Sequence, residues 1–175
     1  MNFAVKNKNM PKILIIEDEA AIRRVLTKIL SEESSTYQVE EAEDGVQGLE
    51  KIKNSDYDLV LCDIKMPKMD GVELLEEVKK IKPEIPMVMI SGHGDMETAI
   101  NTMRLGAFDY ISKPPDLNRL LNTVRNALDK VLIDTNLERW EDFARTIIRE
   151  LQQRKVTVLG DETISKIAAV PQIES

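Results

Sequence analysis

Four short, largely apolar runs, each stopped by polar or charged residues, constrain this chain most: residues 13–16 (ILII), 59–62 (LVLC), 87–90 (MVMI) and 107–111 (AFDYI). A continuous apolar run this short suits a strand covered on both faces, as in a parallel sheet with helices on either side. The stretches between them carry helical spacing. Ile22, Val25, Leu26, Ile29 and Leu30 recur at i, i+3, i+4, i+7 and i+8, which predicts an amphipathic helix over residues 20–30. Val46, Leu49 and Ile52 mark a shorter helix opened by Asp44-Gly45, and Leu74, Leu75, Val78 and Ile81 a third, broken by Pro83 and Pro86. Asp95 is placed to cap a fourth, reaching Met103 and burying Met96, Ala99, Ile100 and Met103. Asp116 caps a fifth, with Leu117, Leu120, Leu121, Val124, Leu128 and Val131 inside.

Residues 37–42 alternate weakly and carry charges, as an edge strand would. Five strands alternating with five helices predict an α/β fold: a flavodoxin-like, doubly wound, five-stranded parallel sheet in the order 2-1-3-4-5. In such sheets ligands bind beyond the carboxyl ends of the strands. The first run ends in Glu17, Asp18 and Glu19, the second in Asp63, the third in Ser91-Gly92 and the fourth in Ser112, Lys113 and Pro114. If the strands are parallel, these groups share one edge. Glu17, Asp18 and Asp63 against Lys113 leave an excess of negative charge that suits a hard divalent cation with oxygen ligands, Mg²⁺ foremost. A carboxylate beside Mg²⁺ and an ammonium can attack a phosphoryl group, because both neutralise the charge that repels the nucleophile. The product is an aspartyl phosphate on Asp63.

The runs ILIIEDE, LCDIKMP with Met69-Asp70-Gly71, Ser91 after its strand and ISKP at residues 111–114 resemble the receiver domain of bacterial two-component response regulators, over residues 12–131. The SGHG and KPPDLNRLL stretches resemble receivers that precede sigma-54-type ATPase modules. The resemblance implies that Asp63 is the phosphoacceptor and that Glu17 and Asp18 hold Mg²⁺ with Asp63 and the backbone carbonyl of Lys65. It also implies that Ser91 and Lys113 contact the phosphoryl oxygens, that Ser91 and Tyr110 switch on activation, and that the Lys113-Pro114 bond is cis. Lys65 and His93, each two residues beyond a site residue, fall where receivers modulate the lifetime of the phosphate. Glu17 stands where many relatives carry Asp.

A net charge of −7 argues against bulk electrostatic binding to nucleic acid. Cys62, the one cysteine, excludes an intramolecular disulfide and reads as a small buried hydrophobe. No apolar run approaches the roughly 20 residues of a membrane span, so a cytoplasmic protein is expected.

Residues 1–11 read as a flexible arm and 12–133 as the receiver. Residues 134–175 form a mainly helical, helix-strand-helix extension. Thr135 and Glu138 fit a capping box, which predicts a new helix beginning near Thr135, and Leu137, Trp140, Ala144, Ile147 and Leu151 follow at heptad spacing. Residues 155–159 read as a strand and Asp161 as the cap of a last helix. An extension of about 40 residues is at the size where folding alone is hard, so docking or dimerisation is expected. VLGDETISKI resembles the segment entering a sigma-54-type ATPase module, but the chain has no G-x-x-x-x-G-K-[ST] loop.

The expected function is a non-enzymatic switch phosphorylated by a sensor histidine kinase or phosphotransfer protein. A homodimer would form through the face of the fourth helix, fifth strand and fifth helix, or through the C-terminal helix. Two alternatives are an assembly module with a vestigial pocket and an aspartyl-phosphate phosphatase. The phosphatases of haloacid-dehalogenase type want a second Asp where this chain has Lys65.

Overall fold

The computed structural model describes residues 10–92 and 96–153, and for residues 135, 136, 139, 143, 147 and 150–153 the backbone alone. The elements run β1 (Lys12–Ile16), α1 (Ala20–Glu33), β2 (Gln38–Ala42), α2 (Gly45–Asn54), β3 (Leu59–Asp63), α3 (Gly71–Ile81), β4 (Met87–Ser91), α4 (Met96–Arg104), β5 (Asp109–Ser112) and α5 (Leu117–Gln153). The five strands are parallel in the order β2-β1-β3-β4-β5. β3 is central, and Leu59, Val60, Leu61 and Cys62 are fully buried in it. Burying a side chain of Leu or Val size contributes roughly 1.5–3 kcal/mol.

Alternate residues of each strand feed opposite faces. Leu14, Ile16, Val60 and Cys62 join Leu74, Leu75 and Val78 of α3 on one face, while Ile13, Ile15, Leu59 and Leu61 meet Leu26 and Leu30 of α1 and Leu120 and Val124 of α5 on the other. Asp44 caps α2 by accepting from the Gln47 N–H at 2.8 Å, and Asp116 accepts from the Arg119 N–H at 2.8 Å at the start of α5. Asp70 and Glu73 complete a capping box on α3.

Four expectations about helix faces need correction. Val25 of α1, Val46 of α2, Ile81 of α3 and Leu117 of α5 are exposed rather than inside their stripes. The error in α4 is larger. Met96, Ile100 and Met103 are 79%, 45% and 46% exposed, and the buried residue is Thr102. Ala99 and Thr102 share a face at i, i+3, as Met96, Ala99, Ile100 and Met103 do, so spacing alone could not choose between the two sides. Thr102 tolerates burial because its hydroxyl donates to the Ala99 carbonyl at 2.9 Å.

No new helix begins at Thr135. α5 is continuous over 37 residues, since no Gly or Pro interrupts it and extending a helix adds one hydrogen bond per residue. The capping signal at residues 135–138 is overridden. By contacts the chain divides into two compact units, Met1–Leu132 and Ile133–Ser175. The strand and last helix expected after residue 155 lie outside the described residues, as does most of the expected N-terminal arm. Among the described residues no helix is long and apolar enough to cross a membrane.

The edge strand β2 is tied by charge. Glu40 pairs with Lys12 at 2.7 Å and Lys51 at 3.5 Å and accepts from the Tyr57 hydroxyl at 2.7 Å. The hydrogen bond to Lys12, then that to Tyr57, hold the Glu40 carboxyl down from 4.5 to about 2. A depressed folded-state pKa adds stability that is present above the unfolded value and is lost as pH falls towards the folded one. Glu40→Gln is therefore expected to lower the thermal midpoint modestly at neutral pH, since a half-exposed carboxylate is screened by solvent. The gap to wild type should close between pH 4.5 and about pH 2. A gap that stayed constant over that range in calorimetric melts would contradict the assignment.

Candidate functional site

The carboxyl ends of β1, β3, β4 and β5 lie along one edge of the sheet, and each delivers one polar group there. Glu17 follows β1, its N–H donating to the Ala42 carbonyl at 3.1 Å and so continuing the pairing with β2. Asp63 ends β3 in register with Ile90, and Ser91 closes β4 in register with Ser112. Lys113 follows β5, its N–H donating to the Ser91 carbonyl at 2.7 Å, and the Lys113–Pro114 peptide is cis.

Four of the sequence-derived residues meet directly. Lys113 Nζ stands 2.7 Å from Glu17 Oε2 and 3.1 Å from Asp63 Oδ2. Glu17, Asp18 and Asp63 each offer a carboxylate oxygen, all within 4.8 Å of one another. Glu17 and Asp63 are 1% and 5% exposed, while Asp18 faces solvent. Burial pushes the Glu17 carboxyl up and the nearby Asp63 adds to this, against the opposing hydrogen bond from Lys113. For Lys113, burial works to lower the ammonium, but the hydrogen bond to Glu17 and the charge of Asp63 outweigh it and hold it above its ordinary value.

Two buried carboxylates share one ammonium, so one negative charge is uncompensated before Asp18 is counted. A buried charge without a partner is costly. The oxygen-only donor set fits a hard divalent cation such as Mg²⁺.

Other site positions differ in kind. Ser91 is buried at the end of β4, whereas Lys65 is exposed in the loop after β3. Tyr110, in register with Met89, packs against the α3 side of the core and buries a hydroxyl that has no hydrogen-bond partner among the described residues. His93 lies outside the described residues. Cys62 is fully buried, its thiol donates to the Asp63 carbonyl at 3.0 Å, and burial raises its pKa, so it is no nucleophile.

Sequence spacing gave no sign of Arg23. Its guanidinium donates to the Glu17 carbonyl at 2.6 Å and the Asp18 carbonyl at 3.4 Å, while Nε bonds Glu41 at 3.1 Å. It clamps the main chain of the acidic turn. On the helix stripe it reads as one more surface charge, and only the fold brings it over the turn. Gly71 has a backbone reason to be glycine: its N–H donates to the Ile64 carbonyl at 2.8 Å, and an added Cβ would collide with the Asp63 carbonyl oxygen and lie 2.8 Å from Ile64 Cα.

Residues 13–125 match the response regulator receiver domain. The chain belongs to that family. Of the curated relatives, the transcriptional regulatory protein ZraR of Klebsiella oxytoca is 38% identical over 116 residues, 66% of this chain and 26% of that protein. The nitrogen assimilation regulatory protein NtrX of Azorhizobium caulinodans is 36% identical over 143 residues, 81% of this chain and 29% of the relative. The crystal structure of a CheY-like receiver domain protein from Methanospirillum hungatei matches with a TM-score of 0.67 at 36% identity, over 71% of this chain and 98% of that one. The receiver domain of NtrX from Brucella abortus matches with a TM-score of 0.63 at 41% identity, over 67% and 98%. The five-stranded sheet described above is thus the receiver fold. The chain spans about a quarter to a third of the curated relatives' length, 26% of ZraR and 29% of NtrX.

Proposed function

We propose that this receiver takes a phosphoryl group onto Asp63 from a phosphohistidine of a sensor kinase or phosphotransfer protein, with Mg²⁺ bound, and passes the event on as a changed surface. One observation carries the reading. The carboxylate of Asp63, 5% exposed, lies 3.1 Å from an ammonium and beside two further acids at the open end of the sheet.

In the transfer an oxygen of Asp63 bonds to phosphorus as the P–N bond breaks, and the bonding pair stays on the imidazole, which takes up a proton. Mg²⁺, when bound, supplies charge that offsets the repulsion between nucleophile and phosphoryl oxygens. Glu17, Asp18 and Asp63 would hold it, with the Lys65 carbonyl. Lys113, already at Asp63 Oδ2, is placed to bond a phosphoryl oxygen, and Ser91 to bond another. Among the described residues the buried Tyr110 hydroxyl has no hydrogen-bond partner, and leaving such a group unpaired typically costs about 1–3 kcal/mol. A shift near Ser91 that gives it a partner would be favoured, which makes Tyr110 the second switch residue. Lys65 and His93 take the role of tuning how long the phosphate survives.

Two residue patterns bear on output. The relatives named as transcriptional and nitrogen assimilation regulators support a role as the input module of such a regulator. Ile133 and Leu137 of α5 are 66% and 45% exposed, and with Trp140 and Ala144 they follow the 4-3-4 spacing of a coiled-coil seam. This supports association with a second copy through that helix. Light scattering on the chain, alone and with beryllofluoride as a phosphoryl mimic, is expected to show a dimer in at least one state; a monomer throughout would remove the association.

The acceptor reading is tested by mass spectrometry of the intact chain after treatment with acetyl phosphate and Mg²⁺. One added phosphoryl group is expected, lost on treatment with hydroxylamine as an acyl phosphate is. No Mg²⁺-dependent addition would overturn the reading.

A further inference from the structure

The loop between β3 and α3, residues 64–70, contains a strained residue that phosphoryl acceptance does not explain. Lys68 has φ 69°, the only positive φ at a non-glycine residue among those described. It sits at the centre of a three-residue turn closed by the Met69 N–H donating to the Pro67 carbonyl at 2.8 Å. Turns of this hand at an L residue are rare and strained, and they persist only where the surroundings impose them.

The surroundings here are the first turn of α2. Lys68 Nζ lies 2.5 Å from Oδ2 of Asp44, a residue 4% exposed whose other oxygen caps α2 through the Gln47 N–H. One residue on, Met69 packs against the core, and its carbonyl oxygen and Cβ lie 2.5 and 2.9 Å from where a Cβ on Gly45 would stand. The loop is therefore pinned at two successive residues. Most surface ion pairs contribute little because both partners stay solvated. In this pair only the lysine stays solvated, its side chain 64% exposed, while the Asp44 side chain is buried at 6% and takes Lys68 as its ionic partner.

We propose that Lys68 and Asp44 are positioning residues, a latch that keeps the β3–α3 loop in the shape needed to hold a divalent cation beside Asp63. Neither touches the ion. Three residues before Lys68 is Lys65, whose main-chain carbonyl is the proposed ligand, so the latch rests on the acceptor reading above. Released, the turn at residues 67–69 loses the contact that holds its strained φ, and the carbonyl before it loses its fixed direction.

The test uses the full chain, with Mg²⁺ titrations by calorimetry and amide hydrogen exchange of residues 64–70 in metal-free protein. Lys68→Met is expected to weaken Mg²⁺ binding about tenfold, the lower end of the loss seen when a group supporting a metal ligand is removed. It should also speed exchange across the loop. Lys68→Arg should restore most of both. Lys68→Gly separates positioning from stability: it relieves the backbone strain, so it should melt no lower than Lys68→Met yet bind Mg²⁺ as weakly. Asp44→Asn with Lys68→Met should be no worse than either change alone, as for two halves of one contact.

Wild-type Mg²⁺ affinity in Lys68→Met would overturn the latch, provided Asp63→Asn weakens binding. If the wild-type chain bound no Mg²⁺, the acceptor reading would fail. Unchanged loop exchange in Lys68→Met would overturn the latch in either case.

Discussion

Asp63→Asn is expected to take up no phosphoryl group from acetyl phosphate under conditions in which the wild-type chain is modified. The substitution is close to isosteric, and the Ile64 N–H that donates to Asp63 Oδ1 at 2.8 Å can donate equally to an amide oxygen. The fold should survive, with a thermal midpoint near that of wild type. What disappears is chemistry: the amide offers no anionic oxygen to phosphorus, and the acidic cluster loses one of its three carboxylates. Lys113 keeps its 2.7 Å contact with Glu17, so the ammonium is not stranded. Removing one of two acceptors for a half-buried cation relieves the excess of negative charge rather than exposing an unpaired one. Mass spectrometry of the intact variant decides the matter. A phosphorylated species at wild-type level would place the acceptor elsewhere.

Gly71→Ala should be the most damaging small substitution near the site. The added methyl meets the carbonyl oxygen of Asp63 and the Cα of Ile64, both backbone, so no side chain can swing away. Either the end of β3 or the start of α3 has to move. Overpacking of this kind costs about 1–3 kcal/mol. At this chain length that lowers the thermal midpoint by about 2–4 °C for each kcal/mol. The loss is expected to reach function too, since the displaced carbonyl belongs to the proposed acceptor residue. Gly92→Ala is the control: among the described residues its nearest contact would be the Lys113 side chain at 3.8 Å, ordinary van der Waals range. Equal melting temperatures for the two variants would show that the approach of α3 to the end of β3 is looser than described.

Much of this molecule is legible in one dimension. Apolar runs of four residues are too short for helices in this setting and too continuous for half-exposed strands, so a parallel sheet covered on both faces is nearly forced. Acids, hydroxyl and lysine at the ends of those runs then had to share an edge, and Glu17, Asp18, Asp63 and Lys113 do meet there.

The misses have two causes, one tertiary and one local. On α4, Met96, Ile100 and Met103 and, on another side, Ala99 and Thr102 both satisfy helical spacing, and which side turns inward depended on how the sheet received the helix. At residues 134–138 a local capping preference lost to the continuation of α5. Arg23 and the Asp44–Lys68 pair were unreadable because a surface charge gains a role only when folding carries a distant carbonyl or carboxylate to it, across 24 residues in the case of Lys68.

Element type and the chemical identity of the edge therefore follow from the sequence, because periodicity and strand-end residues are local properties. Helix orientation and the ties that hold the β1–α1 turn and the β3–α3 loop were decided by the tertiary structure. They depend on contacts between segments that no local window contains.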